Sequence, residues 1–370
     1  AKQMGISLDT RTRMEALDDL RDTGVKSFPN VFPQYLHKSN GLISKKGMIY
    51  PLGTISKSMT TFHNEGGYYP IIEMDEHGFN NPKGLYIENK VDIVLTGDSF
   101  TEGYSVRSNE SIAAVLRKLD FNVISIGKAA NGPLIELAAL KEYAKFLKPK
   151  IVLWLYYVND LTLSFEMESS ILRKYLNEDD YSQNLISRRE EIDGILMNYV
   201  QNAGGKEKDK TILEMVKRMT KLYNLRESIN LLPTPNTPTP IFRDILSKSK
   251  QMVSAWNGKM YLVFLPDFTR CSTGNEHPNH DFVMQTATEL DVPIIDIHKE
   301  VFDSHPDPLS LFPFRIHGHY NAEGYRLVAE AIEKRLEADD YVSIRLKTVS
   351  YTHLRAHETL RYLVCRLLLE

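Results

Sequence analysis

Short, almost wholly apolar runs that alternate with helical patterns constrain this chain more than any other feature. Residues 91–95, 122–126 and 151–157 are rich in Val, Ile and Leu, and a glycine or a polar pair follows each run closely. Two further apolar runs occupy residues 259–265 and 292–296. Near-continuous apolar strands separated by helices are typical of a parallel sheet that is covered on both faces. The sequence therefore predicts a doubly wound α/β fold.

The remaining segments predict additions to this sheet. Residues 1–90 are rich in turn formers, which indicates an amino-terminal extension of loops, short strands and one helix over residues 9–24. The sheet domain itself is expected over residues 91–347. Within it, charged helical patterns and a proline-rich stretch that interrupts them predict a helical insertion at about 161–250.

Both ends of the chain call for separate interpretation. Residues 349–359 match a forward translation of a common sequencing adapter, so we expect residues 348–370 to be a non-native tail. At the other end the chain begins at Ala1 without an initiator Met. A truncated start of this kind suggests an upstream signal or anchor, and hence an exported or membrane-anchored bacterial protein, although the sequence itself leaves the compartment open.

Composition excludes several classes of protein. The 45 basic and 48 acidic residues give a net charge of -3 and form no long blocks, which argues against a nucleic-acid partner. No apolar run reaches the roughly 18 residues of a membrane span. Cys271 and Cys365 are the only cysteines, too few for a disulfide scaffold or a cysteine-based zinc site. A GxGxxG motif, which would indicate a dinucleotide site, does not occur.

Polar residues that follow the predicted strands are the candidates for chemistry. Ser99 follows the first strand, Ala130 lies in a small-residue turn after the second, and Asn159 follows the third. His319 precedes the last predicted helix. Ligands of open parallel sheets bind at the carboxyl ends of the strands. A hydroxyl nucleophile, a base and hydrogen-bond donors for an oxyanion are the groups that acyl transfer requires.

The motifs around these residues resemble those of the SGNH (GDSL-type) hydrolases. The matching blocks are GDSFTEG at residues 97–103, YVND at 157–160 and HGHYNAEGYRLVAEAI at 317–332. The resemblance implies a flavodoxin-like sheet, Ser99 as nucleophile and His319 as general base. It also implies an oxyanion hole made by the Asn159 side chain with backbone N–H groups, and neither a metal nor an organic cofactor.

Two departures from the family pattern concern the oxyanion hole. Ala130 stands where the family has a glycine, and Tyr157 replaces the glycine of the GxND motif. Alanine keeps the backbone N–H, but it is unstrained only at negative φ, so we expect a negative φ at Ala130. Asp98, beside the nucleophile, is expected to cap or orient the turn.

A third departure concerns the acid that normally orients the base. Ile316 and His317 occupy the two positions where the family carries an aspartate. Three alternatives follow: a Ser–His dyad oriented by a backbone carbonyl, a distant acid such as Asp296 or Asp307, or an inactive site. The first two together are favoured, because the nucleophile, the Asn and the His all persist. His317 is an auxiliary candidate that could donate to a substrate oxygen.

The preferred hypothesis is a serine esterase or deacylase that acts on a small-molecule or glycan ester. A polysaccharide O-acyltransferase would use the same residues and deliver the acyl group to a sugar hydroxyl instead of water. A non-catalytic glycan-binding protein on a decayed hydrolase fold is the alternative from another class, and the missing acid is the argument for it.

Overall fold

A five-stranded parallel sheet lies at the centre of the protein, and two small antiparallel hairpins precede it in the chain. The computed structural model describes residues 8–158, 160–161, 166–202 and 240–341. The strands in chain order are β1 (Leu42–Ser44), β2 (Gly47–Ile49), β3 (Met59–Thr61), β4 (Ile71–Glu73), β5 (Ile93–Gly97), β6 (Val123–Ser125), β7 (Ile151–Tyr156), β8 (Lys259–Phe264) and β9 (Ile294–Asp296).

The order of strands in the sheet is β6-β5-β7-β8-β9, and all neighbours are parallel. Numbered by their appearance within the sheet, the strands run 2-1-3-4-5, which is the flavodoxin-like order. The predicted doubly wound α/β fold is therefore confirmed. From β5 the chain crosses to β6 on one side of the sheet and then to β7 on the other side, so the strand order reverses between β5 and β7. The carboxyl ends of these two strands therefore flank the crevice in which such folds bind ligands.

Strands β5 and β7 are buried along their whole length because helices cover both faces of the sheet. Successive side chains of a strand point to opposite faces. Val94 and Val152 accordingly belong to one apolar core, and their neighbours Leu95 and Leu153 belong to the other. This two-sided burial explains why the strand sequences are continuous apolar runs instead of alternating ones.

The two faces of the sheet are covered by different helices. The main helices in chain order are α1 (Arg13–Asp22), α2 (Ser99–Glu102), α3 (Ile112–Lys118), α4 (Pro133–Ala139), α5 (Ser170–Asn177), α6 (Pro240–Ala255), α7 (Phe268–Thr273), α8 (His280–Glu289) and α9 (Ala322–Ala338). Apolar residues of α3 and α9 pack into one core, and those of α4, α5, α6 and α8 pack into the other.

The helix predicted for residues 9–24 forms, but it begins later than expected. Thr12 caps α1: its hydroxyl accepts from the Glu15 N–H at 3.2 Å, and the Glu15 carboxylate accepts from the Thr12 N–H at 2.6 Å. This reciprocal pair satisfies two backbone donors at the start of the helix. Asp9, the first residue of the predicted range, lies before the helix and forms an ion pair with Arg11.

The amino-terminal segment is hydrogen-bonded to the edge of the central sheet. The Asn81 side chain donates to the carbonyl of Ser125 at 2.8 Å and accepts from the Ser125 N–H at 2.9 Å, so it pairs with β6 as a neighbouring strand would. The adjacent Asn80 side chain donates to the carbonyl of Glu102 at 2.8 Å. These contacts fix the segment before β5 against the helix that begins at Ser99.

The predicted insertion contains α5, a helical stretch over residues 189–202 and the first part of α6. Most of its proline-rich stretch lies outside the described residues, as does the segment predicted to be a non-native tail. No helix within the described ranges has the length and apolar character needed to cross a membrane.

Candidate active site

Ser99 stands at the carboxyl end of β5, where a tight turn leads directly into α2. The Asp98 carboxylate caps this helix by accepting from the Phe100 N–H at 2.9 Å. Gly97, the residue before Asp98, has a φ of +151°, and a Cβ at this position would lie 2.6 Å from the carbonyl oxygen of Leu155 in β7. Glycine is thus required for the turn that brings Ser99 to the sheet edge. The expected capping role of Asp98 agrees with this geometry, and burial raises the pKa of its carboxyl.

His319 lies directly against the Ser99 hydroxyl, with 2.7 Å between Nε2 and Oγ. It sits just before α9, and both following residues anchor it: the Tyr320 hydroxyl donates to the carbonyl of Pro266, and the Asn321 side chain donates to the carbonyl of Ser310. The Phe100 ring packs beside the imidazole, with ring centres 4.7 Å apart. Segments that follow β5, β8 and β9 therefore meet the start of the last helix around one nucleophile–base pair that lies within hydrogen-bonding reach.

Glu65 is the hydrogen-bond partner of the other imidazole nitrogen. His319 Nδ1 lies 2.9 Å from Oε1 and 3.0 Å from Oε2 of this carboxylate, and the His319 backbone N–H donates to Oε2 at 2.8 Å. A carboxylate only accepts, so Nδ1 carries the proton and Nε2 is left to accept from Ser99. Gly318 makes room for this contact, because a Cβ there would lie 2.9 Å from Glu65 Oε2.

The Glu65 carboxylate is held in its charged form. Burial raises its pKa, but the hydrogen bonds and the charge attraction of His319 lower the pKa by more, and it falls from 4.5 to about 2. The side chain is 25% exposed and that of His319 is 18% exposed. A charged acceptor that is only partly hydrated stabilises a positive charge on the imidazole more strongly than one in open solvent does.

The acids that the sequence suggested as orienting groups are engaged elsewhere. Asp296 accepts from the His298 N–H and pairs with Lys299, and Asp307 pairs with Arg315. Neither forms a hydrogen bond with His319, and within the described part of the chain no backbone carbonyl takes the place at Nδ1. Asp296, Asp307 and a backbone carbonyl were therefore the wrong partners for the imidazole. The partner is a distant acid, as one of the alternatives proposed, but it comes from the amino-terminal segment, 254 residues away in sequence.

His317 does not join the hydrogen-bonded line. Its ring centre lies 6.0 Å from that of Phe268, and no hydrogen bond of its ring is seen among the described residues. An auxiliary role for His317 toward a substrate therefore stays a prediction.

The turn after β6 is strained at Ala130. This residue has a φ of +64°, in the left-handed region, so the expectation of a negative φ was wrong. The conformation is one that glycine adopts freely and alanine adopts at a cost of about 1–2 kcal/mol. The flanking residues Ala129 and Asn131 are buried. Asn159, the third predicted oxyanion donor, lies outside the described residues.

Buried carboxyl groups lie close behind this turn. Glu166 accepts from the N–H groups of Gly132 and Leu134, both at 2.8 Å, and burial raises its pKa to about 7 despite these bonds. Burial and the neighbouring Glu166 raise the pKa of Glu136 well above its usual value. Among residues 8–158, 160–161, 166–202 and 240–341, no group of three or more His, Cys, Asp or Glu side chains could hold a metal ion.

Comparison with known proteins gives similarity at the level of solved structures. No family model and no curated protein matches the sequence. Aligned structures include a lipase/acylhydrolase from Enterococcus faecalis, with 14% identity over 67% of this chain and 96% of the other, and a TM-score of 0.40. An acetylxylan esterase from Geobacillus stearothermophilus aligns with 14% identity over 67% of this chain and 95% of the other, with a TM-score of 0.36. TesA aligns with 11% identity over 67% and 98%, with a TM-score of 0.40. At these identities the residues of the site itself carry the functional argument.

Proposed function

We propose that the protein is a serine esterase or deacylase whose catalytic residues are Ser99, His319 and Glu65. The observation that carries this proposal is the unbroken hydrogen-bonded line from the Ser99 hydroxyl through the imidazole to the Glu65 carboxylate. A nucleophile, a base and a group that orients the base, each within hydrogen-bond reach of the next, are the signature of covalent acyl transfer.

In the first half of the reaction, the Ser99 oxygen bonds to the ester carbonyl carbon while its proton passes to His319 Nε2. The tetrahedral intermediate then expels the alcohol, which takes that proton from the imidazolium and leaves an acyl-serine. In the second half, a water molecule attacks the acyl carbon with its proton going to Nε2, and the proton returns to the serine oxygen as the acid departs. Glu65 stabilises the imidazolium in both halves and holds the tautomer that each attack requires.

The negative charge that develops on the carbonyl oxygen needs donors at the same sheet edge. We assign this role to the backbone N–H groups of Ser99 and Ala130 and to the Asn159 side chain, the donors that the sequence suggested. The left-handed conformation of Ala130 agrees with the assignment, because residues held in strained backbone conformations cluster at active sites. Substrates would be small-molecule or glycan esters.

The alternative of a decayed, non-catalytic protein loses its main support. It was based on the missing aspartate beside His319, and Glu65 supplies a carboxylate at the equivalent nitrogen. A polysaccharide O-acyltransferase would share the same line of residues, and no contact among the described residues favours a sugar acceptor over water.

Labelling with a serine-directed fluorophosphonate tests the proposal directly. We expect one adduct, located on Ser99 by mass spectrometry, which Ser99→Ala abolishes and His319→Ala greatly slows. Ser187→Ala, which changes an exposed serine in the helical insertion, is the matched control and should label like the wild type. Labelling at another residue, or equal esterase turnover by Ser99→Ala and wild type on p-nitrophenyl acetate, would contradict the assignment.

A further inference from the structure

A fully buried ion pair lies between the helix of the nucleophile and the turn that contains Ala130. The side chains of Lys128 and Glu102 are both 0% exposed, and the ammonium group contacts Glu102 Oε1. Asn30 bridges the two: its side-chain oxygen accepts from Lys128 Nζ at 2.6 Å and its amide donates to Glu102 Oε1 at 3.0 Å. The second carboxylate oxygen of Glu102 accepts from the backbone N–H of Ala129 at 2.7 Å.

Glu102 thereby joins the two backbone segments that would form the oxyanion hole. It is the last residue of α2, three positions after Ser99, and its own N–H donates to the carbonyl of Asp98 at 3.0 Å. On the other side of the pair, the Lys128 N–H donates to the carbonyl of Gly97, and the Asn131 N–H donates to the carbonyl of Lys128. The residue preceding Ala130 and the residue following it are thus both fixed by hydrogen bonds.

Stability alone does not explain a pair of this kind. Removing two charges from water carries a large desolvation cost, and well-packed apolar residues of similar volume often serve a fold as well or better. A left-handed alanine, in contrast, persists only where its surroundings over-determine the backbone. The Lys128–Glu102 pair is hydrogen-bonded to the backbone next to Ala130. This backbone must be held in place if the Ala130 N–H is to keep one direction.

We propose that Lys128 and Glu102 are positioning residues that clamp the 128–131 turn against α2 and so aim the Ala130 N–H at the oxyanion. The inference rests on the proposed esterase function for its catalytic meaning, and on the buried contacts for its structural meaning. Neither side chain touches the substrate. The clamp acts through the Glu102–Ala129 hydrogen bond, with Lys128 and Asn30 holding the carboxylate in place.

Two double variants separate positioning from simple packing. Lys128→Met with Glu102→Leu removes both charges and the acceptor for the Ala129 N–H, whereas Lys128→Met with Glu102→Gln removes the charges but keeps a side-chain oxygen as acceptor. In hydrolysis of p-nitrophenyl acetate we expect the Leu variant to lose about tenfold or more in kcat, with KM and the pH of half-maximal kcat/KM unchanged, as for loss of an oxyanion donor. The Gln variant should recover most of that loss. Asp339→Asn, which breaks the Lys259–Asp339 pair at the start of β8, is the control and should leave kcat unchanged.

Amide hydrogen exchange provides a second readout that does not require activity. We expect peptides covering residues 126–134 to exchange faster in the Leu variant than in the wild type or the Gln variant, at a temperature where all three are folded. Faster exchange in a protein that proves inactive would support the clamp while the esterase proposal fails. Wild-type kcat in the Leu variant of an active enzyme, or unchanged exchange of this peptide, would overturn the inference.

Discussion

Glutamine at position 65 would test the charge at the acid end of the hydrogen-bonded line. Burial raises the pKa of Glu65 and the contacts with His319 lower it by more, leaving it at about 2 instead of 4.5. A pKa lowered by about 2.5 corresponds to roughly 3 kcal/mol in favour of the charged carboxylate over the protonated acid beside the imidazole. Because the transition state contains an imidazolium that would lose this partner, we expect Glu65→Gln to lower kcat/KM by about 10²-fold or more.

The assay is hydrolysis of p-nitrophenyl acetate, with the thermal midpoint measured on the same samples to show that the variant is folded. Asp296→Asn and Asp307→Asn are matched controls, because each removes one carboxylate charge from an ion pair that does not reach His319. Both should keep kcat/KM close to the wild-type value. Near wild-type kcat/KM in a folded Glu65→Gln protein, or an equal loss in either control, would refute the assignment of the acid.

Three further predictions follow from the same contacts. Gly318→Ala places a methyl group 2.9 Å from Glu65 Oε2, so it should lower kcat/KM with little change in the thermal midpoint. The control Gly194→Ala, whose added methyl group meets no atom within 4 Å, should leave kcat/KM unchanged. Equal kcat/KM for the two variants would contradict the tight fit at Gly318. Ala130→Gly should keep activity and fold stability, because glycine removes about 1 kcal/mol of strain from the folded state and costs a similar amount through the greater chain entropy of the unfolded state. Ala130→Val should lower the thermal midpoint. A Val variant as stable as the wild type would argue against the positive φ at this residue. Since the pKa of Glu65 lies below that of the unfolded chain, its contribution to stability is present above about pH 4.5 and is lost as the pH falls toward 2. Urea unfolding should therefore show a steeper loss of unfolding free energy over this range in the wild type than in Glu65→Gln, and parallel curves would exclude the linkage.

The sheet and the nucleophile–base pair could be predicted because their signals are local in the sequence. A strand buried on both faces must be a continuous apolar run, so β5, β6 and β7 are visible without any partner being known. The turns that end these strands then identify Ser99, and the start of α9 identifies His319. The carboxyl ends of parallel strands share one edge, so the two residues were expected to meet, and the 2.7 Å contact agrees with that expectation.

Glu65 could not be found in this way because it belongs to no element of the sheet. It lies in a polar turn beside Gly66 and Gly67, where a carboxylate looks like any solvated loop residue. The indirect signal was the absence of an acid near His319, which required a carboxylate from some other segment. Ala130 was misjudged for a related reason: its φ is imposed by buried contacts of Lys128 and Glu102, which no local pattern records.

The contact between Glu65 and His319 closes a loop of 254 residues, and this has a consequence for the order of folding. Bringing two points that far apart along the chain into contact costs about 5 kcal/mol of chain entropy in the absence of other structure. Contacts of such high sequence separation form late, after more local pairings have shortened the effective loop. During refolding we therefore expect the circular dichroism signal to return before esterase turnover does. The later recovery of substrate cleavage would then report the docking of the amino-terminal segment on an already formed sheet.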